Sequence, residues 1–379
     1  MKLLHVMPRF GPGGGIVAIV RETSQWLIRQ GFTVEVFAGP TDDPTRGGAS
    51  SVPDPLPVRR FPYGRSQRLR FPLMVGLTEA LTRSGADVIH AHNHRTGHVL
   101  QAAHVARRCG IPLVVSTYYH PALRTEPLLK KGAIRLMDFG FGLGAYGRAG
   151  ALIALSKFEV DRLRPFALSA PIHVVPPGID LSSWSDPAAD HHDPRLPPEY
   201  FVYSGRIAGN KGIVGLVQAL ARLPPEQRRP LVVVGPETHA GARAQVEAAA
   251  QELGVRDLVV FLGYVDTPTY RGVLRGAKGL VLPSEWESFG IVLLDAMAAR
   301  TPVIASRTGA VPEVLEEGRA GRLVPVGDPR ALAEALASID ADRGETRRLV
   351  DRAAERVRAF DWSVTTESLR TIYEQLARA

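Results

Sequence analysis

Two successive runs of alternating strand and helix patterns predict an α/β protein built from two doubly wound domains, each on a parallel sheet. Three observations carry that expectation. At 379 residues the chain exceeds what one ordinary core holds. Short β-branched runs alternate with longer segments of helical period, the rhythm of βαβ units. The stretch 176–198 is rich in Pro, Asp and His, lacks apolar periodicity and reads as the linker between the two runs.

In the first run, 3–7, 33–38, 88–91, 113–116, 151–155 and 172–175 read as strands, with helices at 16–30, 72–84 and 98–109. The second run opens at 200–204 and continues with strands at 231–234, 258–262, 279–282, 303–305 and 321–324. Two amphipathic helices, near 346–359 and 363–378, close the chain. The domains expected are therefore 1–180 and 181–360, with 361–379 as a final helix. In such folds ligands bind at the carboxyl ends of the strands and in the cleft between domains.

Composition narrows the class. A hydrophobic content of 45%, a charged content of 22% and a mean hydropathy of −0.02 describe a soluble globular chain. The most apolar later stretch, 139–155, is interrupted by Arg148 and by glycines, so no transmembrane helix is expected. The N-terminus runs straight into a strand without a long apolar signal region, and the single Cys109 excludes an internal disulfide framework. Both point to a cytoplasmic protein. The net charge of +8 belongs to the first half, where 22 Lys and Arg in residues 1–180 face 12 Asp and Glu. Part of it is the cluster Arg59, Arg60, Arg65, Arg68 and Arg70, interleaved with Phe61 and Tyr63. That patch suits either an ordinary surface loop or weak peripheral contact with an anionic membrane, on its inner face; no nucleic-acid partner is expected.

The chemistry concentrates in the second half. Gly205-Arg206-Ile207-Ala208-Gly209-Asn210-Lys211-Gly212 places two cations at a strand-to-helix turn, where glycines bring backbone N–H groups close to an anion. Downstream, Pro283-Ser284-Glu285-Trp286-Glu287-Ser288-Phe289-Gly290-Ile291-Val292-Leu293-Leu294-Asp295 places carboxylates around the start of a helix, read as beginning near Phe289. Cations for a diphosphate and acids for sugar hydroxyls describe a pocket for a nucleotide sugar. The amides of Phe289, Gly290 and Ile291 would point at the phosphates, with Glu287 and Asp295 at opposite ends of the ligand. Glu285 reads as a solvated loop acid.

In the first half, Gly11-Pro12-Gly13-Gly14-Gly15 follows the first strand, where it either contacts phosphate or sugar or serves as a flexible turn. His90-Ala91-His92-Asn93-His94 ends a strand, and alternate side chains share a face. Two imidazoles there can ligate zinc, but nothing nearby in the sequence completes a tetrahedral set. His92 is better placed to bond a substrate hydroxyl or leaving phosphate, and His90 reads as structural. Asp340-Ala341-Asp342 has the D-x-D form of a metal-binding motif but lies in a polar stretch with no buried strand before it, and reads as a solvated turn. No metal and no cofactor is expected.

With those residues in view, nearly the whole chain resembles the retaining glycosyltransferases of family 4, which have the GT-B architecture of two Rossmann-like domains facing a central cleft. The resemblance is carried in order by Gly13 to Gly15, Asp87-Val88-Ile89-His90-Ala91-His92, Ala154-Leu155-Ser156, Val175-Pro176-Pro177-Gly178-Ile179-Asp180, Gly205-Arg206 with Lys211-Gly212, Pro283-Ser284, Glu287 to Asp295, Pro302-Val303-Ile304-Ala305, and Gly309 with Pro312-Glu313. It implies a nucleotide-diphosphate sugar donor held mainly by the second domain, with UDP read ahead of GDP as the nucleotide, a hydroxyl acceptor held mainly by the first, and a last helix crossing back. It also implies metal-independent transfer with retention. Carried over, Arg206 and Lys211 match the diphosphate clamp, Glu287 the donor-sugar acid, Asp295 the ribose acid and His92 the histidine near the reacting sugar. Gly14, Gly15, Gly205, Phe289, Gly290 and Ile291 join them as donor-binding positions. Three positions depart from the pattern: Asp295 where Glu is usual, Pro177 where Asn is common, and Ala310 where a second glycine is common. A nucleotide-sugar epimerase of the same fold and a non-catalytic sugar-nucleotide binding protein are the competing readings.

Overall fold

The structure, a computed structural model, describes residues 1–11, 14–40, 56–64, 72–121, 127–167 and 170–378, which form two compact units. The first takes the chain to Gly178 and recovers it at Trp362; the second takes Ile179–Asp361.

The first unit runs β1 (Lys2–Met7), α1 (Gly15–Arg29), β2 (Thr33–Ala38), β3 (Val58–Arg60), α2 (Leu77–Thr82), β4 (Val88–His92), α3 (Gly97–Cys109), β5 (Leu113–Ser116), α4 (Leu128–Gly144), β6 (Ala151–Ala154), α5 (Lys157–Ala167) and β7 (Ile172–Val174). Its seven strands are parallel in the order β3-β2-β1-β4-β5-β6-β7. Alternation along each strand feeds two cores. Leu4, Ile89, Val115 and Leu152 pack on the face covered by α2 and α3, while Leu3, Val88, Val114 and Ile153 pack on the other. Burial on both faces is why these strands read as continuous apolar runs.

The second unit runs β8 (Phe201–Ser204), α6 (Ile213–Arg222), β9 (Leu231–Val234), α7 (Ala242–Glu252), β10 (Val259–Gly263), α8 (Thr267–Gly276), β11 (Gly279–Leu282), α9 (Ile291–Ala298), β12 (Val303–Ser306), α10 (Val311–Val314), β13 (Arg322–Val324), α11 (Pro329–Ala341) and α12 (Arg343–Arg356). Its six parallel strands follow the order β10-β9-β8-β11-β12-β13. The last helix, α13 (Trp362–Arg378), belongs to the first unit, where Leu369, Ile372 and Tyr373 complete the core under Leu3 and Val88. Gly178 lies against the Trp362 ring so closely that a Cβ would collide with it.

Four elements differ from the sequence reading. The stretch 179–193 is no loose linker: Asp190 accepts from Arg271 at 2.7 Å and Arg275 at 2.5 Å, and the His191 N–H donates to Pro268 O at 3.2 Å. These bonds dock it on α8, and a polar segment held by ion pairs has no apolar period to detect. β3 forms from Val58-Arg59-Arg60 by pairing with β2, an edge position that tolerates charged residues. α4 forms where no helix is expected, because its apolar residues point two ways. α9 begins at Ile291 rather than Phe289, since Gly290 at φ 85° caps it in a left-handed conformation.

Candidate active site

In each sheet the strand order reverses at one point, between β1 and β4 in the first unit and between β8 and β11 in the second, and such switch points open a crevice at the strands' carboxyl ends. The predicted site residues sit at those ends.

In the second unit β8 ends at Ser204, and Gly205 at φ 146° turns the chain into Arg206. Arg206 is exposed and makes no ion pair with any described residue, while its carbonyl accepts from the Tyr203 hydroxyl at 2.8 Å. A short 3-10 turn, Gly209–Lys211, then leads through left-handed Gly212 into α6. Gly212 passes so close to the Pro283 carbonyl that no side chain fits, which brings the turn after β8 against the turn after β11. There, Lys211 Nζ donates to Glu287 Oε1 at 2.6 Å, and Ser284 Oγ donates to the same oxygen at 2.7 Å. The Glu285 N–H donates to the Asn210 carbonyl at 3.0 Å, locking the two turns together.

Phe289 is buried against Phe360 with ring centroids 5.7 Å apart, so its side chain is a packing element. Gly290 and Ile291 open α9, whose first-turn N–H groups precede any intrahelical acceptor. Asp295, two turns into α9, accepts from the Tyr270 hydroxyl at 3.1 Å, and Tyr270 in turn accepts from Ser204 Oγ at 3.1 Å. Burial raises the Asp295 carboxyl to about 7 against the partial relief of the Tyr270 bond. Tyr270 and Ser204 escaped the sequence reading, because a lone Tyr in a helix and a lone Ser at a strand end carry no spacing signal.

In the first unit Gly14 at φ 96° precedes α1, and Gly15 is its first residue; both are exposed. Pro12 and Gly13 lie outside the described residues. His92 ends β4 in a buried network that includes His5 from β1, which the sequence reading missed because the partner is 87 residues away. His5 Nδ1 meets His92 Nε2 at 2.8 Å, and His92 Nδ1 meets the Tyr118 hydroxyl at 3.2 Å. His90 bonds the Tyr373 hydroxyl at 2.7 Å and Ser116 Oγ at 2.8 Å. Burial holds all three imidazoles below their ordinary range, His5 at about 3, so the rings are neutral near pH 7. As it stands, His92 spends both ring nitrogens on neighbouring side chains.

The three imidazoles lie close enough to suggest a metal, one ring nitrogen from each lying within 4.8 Å of the other two. Ligation would require His90 and His92 to give up hydrogen bonds that satisfy both of their nitrogens. The D-x-D acids are engaged too. Asp340 pairs with Lys278 at 2.7 Å, and Asp342 caps α12 by accepting from the Glu345 N–H at 2.9 Å.

Of the basic cluster, Arg59 stacks over Phe61 at 5.2 Å and Phe37 at 5.8 Å, and Arg60 donates to the Phe10 carbonyl at 2.9 Å. Arg65, Arg68 and Arg70 lie outside the described residues. No helix among the described residues is long and apolar enough to cross a membrane.

Two parallel α/β units, each with one switch point, are the architecture of the GT-B class of glycosyltransferases, and comparison with known proteins agrees. The family described as glycosyltransferase family 4 matches residues 13–183, and that described as glycosyl transferases group 1 matches 188–356. The chain is 30% identical to a D-inositol 3-phosphate glycosyltransferase of Saccharomonospora viridis, over 99% of this chain and 93% of that one. It is 31% identical to the protein of the same name from Actinosynnema mirum, over 97% and 94%. Among solved structures it superposes on sucrose-phosphate synthase of Thermosynechococcus elongatus with a TM-score of 0.76 at 24% identity, covering 99% of both chains. It superposes on Anabaena HepE, solved with UDP and glucose, with a TM-score of 0.78 at 18% identity, covering 99% of this chain and 100% of that one. The chain belongs to the family 4 glycosyltransferases.

Proposed function

We propose that this enzyme moves a hexose-type sugar from a UDP-sugar to a hydroxyl acceptor, retaining the anomeric configuration and using no metal. The observation that carries the reading is the convergence of Lys211 and Glu287, 76 residues apart, on one another at the switch point of the second sheet, with Arg206 exposed beside the same turn.

A cation paired with a carboxylate at a crevice is poised for exchange. An incoming diphosphate offers Lys211 a stronger partner, and Arg206 can fork the same phosphates. Glu287, released, then accepts from sugar hydroxyls. As the bond from the anomeric carbon to the phosphate oxygen breaks, negative charge grows on the diphosphate, and fixed cations stabilise that charge most in the transition state. The acceptor oxygen bonds the same carbon from the same face, and its proton passes to the departing phosphate oxygen. Asp295 takes the ribose hydroxyls, and His92 supports the acceptor side through the network that fixes the end of β4. UDP is the nucleotide of choice because HepE was solved with it. Independence of metal is supported by the engagement of Asp340, Asp342, His90 and His92 with protein partners.

The test is turnover of UDP-sugars with an acceptor panel after removal of divalent ions, with and without EDTA, and assignment of the anomeric configuration by NMR. Rates agreeing within about twofold and a retained anomer are the expected results. A rate that collapses with EDTA and returns with magnesium or manganese overturns metal independence, and an inverted product overturns retention. Sugar rearrangement in the donor without acceptor would favour the epimerase reading.

A further inference from the structure

Asp295 carries its carboxylate on a short stem, and one neighbour aims it. Among the described residues its side chain has a single hydrogen-bond partner, the Tyr270 hydroxyl, which donates to Oδ2 at 3.1 Å. Oδ1 accepts from no described residue, and Asp295 is partly exposed. An ionised carboxylate only accepts, so Tyr270 must donate to it, which leaves the lone pairs of the phenol oxygen for another donor. Ser204 Oγ is that donor, at 3.1 Å. The outcome is a one-way chain of hydroxyls that starts at the last residue of β8, passes through α8 and ends on α9.

Tyr270 is held on both sides. Asp266 caps α8 by accepting from the Thr269 N–H at 2.9 Å, and the Tyr270 N–H donates to the Asp266 carbonyl at 2.8 Å. Arg271, the next residue, is buried and paired with Asp190 at 2.7 Å. A donor fixed in this way does two things for a carboxylate. It ties down one oxygen, so that the other is the one left over for a ligand, and it offsets part of the burial that disfavours the ionised form. The anchor also has a place in the site. Ser204 directly precedes Gly205 and Arg206, so the strand end that carries the diphosphate turn is the one that holds the phenol.

We propose that Tyr270 is a positioning residue for the donor nucleotide: its hydroxyl, held by Ser204, aims Asp295 so that Oδ1 receives the ribose hydroxyls. The short acid and the tyrosine act as a matched pair. At 295 a glutamate, one methylene longer, competes for the space that the Tyr270 hydroxyl fills beside Oδ2. The inference rests on the ribose reading of Asp295 and deepens it.

The experiment is calorimetry of the full chain with UDP, 2′,3′-dideoxy-UDP and inorganic diphosphate. The proteins are the wild type, Tyr270→Phe, Ser204→Ala, Asp295→Asn, Asp295→Glu and the double variant Tyr270→Phe/Asp295→Glu, each with its melting temperature. The wild type is expected to bind UDP at least about tenfold more tightly than the dideoxy nucleotide, as the loss of hydrogen bonds to a charged group implies. Tyr270→Phe should lose most of that preference while its affinity for diphosphate stays within about twofold, and Ser204→Ala, which leaves the ring in place, should shift the preference the same way. Asp295→Glu should weaken UDP in the wild-type background and restore it in the Tyr270→Phe background, the coupling expected of two residues in contact. A packing role for the ring weakens all three ligands alike and leaves the preference unchanged. That result in Tyr270→Phe, an unshifted preference in Ser204→Ala, or independent effects of the Tyr270 and Asp295 changes overturns the assignment. Wild type and Asp295→Asn both binding the two nucleotides equally would instead show that the ribose reading itself is wrong, and this inference with it.

Discussion

Lys211 and Glu287 hold each other, and this makes the two cations of the turn unequal. Arg206 is exposed, so Arg206→Ala should leave stability within about 0.5 kcal/mol while lowering turnover roughly a hundredfold, as loss of a transition-state charge donor does. Lys211→Ala should lower turnover as much, but it also strips a partly buried carboxylate of its charged partner, at a cost of about 1–3 kcal/mol. Thermal unfolding beside steady-state rates checks both, and equal melting temperatures for the two variants would contradict the ion pair. Asp295 gives a pH signature. It keeps its proton to about 7 in the folded protein and releases it near 4 when unfolded, so its stabilising contribution is full below about pH 4 and is lost as pH rises through 7. A ribose hydroxyl donates to the ionised carboxylate, so UDP affinity should rise roughly tenfold from pH 6 to 8, where the ionised fraction climbs from about a tenth to nine tenths. Calorimetry with Asp295→Asn should show weaker binding and a flat profile; a wild-type profile already flat would remove the ribose role.

The turns owe their placement to glycines that the surrounding backbone leaves no choice about. Gly309 has φ 54°, and an added Cβ would fall on the Glu287 carbonyl oxygen, while the Ala310 N–H donates to that oxygen at 3.4 Å. Gly309→Ala therefore displaces the strand of loop that carries Glu287. It should cut turnover at least tenfold with UDP affinity changed less than twofold, because Asp295 sits on α9, which starts after the displaced segment. Equal losses in both, by kinetics and calorimetry, would mean that the whole unit had loosened instead. At this scale the sequence was informative wherever one residue type had one use. Gly205 and Gly212 announced a tight turn, and β-branched runs announced β8, β9 and β11. It was silent where a pattern served two partners: α4 buries one apolar side and shows another, so its periodicity blurs, and the segment 179–193 is fixed by Asp190 and two arginines of α8 rather than by apolar spacing.

Across the whole molecule, α13 closes the core of a unit whose preceding stretch of chain ends 184 residues earlier, at Gly178. Leu369, Ile372 and Tyr373 pack beneath Leu3, Val88 and Val114, and the Tyr373 hydroxyl bonds His90. A chain ending at Asp361 should therefore lose the cooperative unfolding of the first unit while the second still binds UDP. Circular dichroism melts and UDP calorimetry of the truncated chain check this, and a first unit that still melts cooperatively would show α13 to be dispensable. Sequence alone settled the two parallel α/β units, the family, and which turns carry the cations and acids, because buried strands, turn glycines and charged residues between them leave local marks. The rest needed the folded chain. That Lys211 faces Glu287, that Tyr270 bonds Asp295, and that His5 completes a buried network with His92 are contacts between turns, between helices and between strands that the sheet order brings side by side. Separations of 76, 25 and 87 residues put such pairings beyond any local pattern, and only the topology of the two sheets decides them.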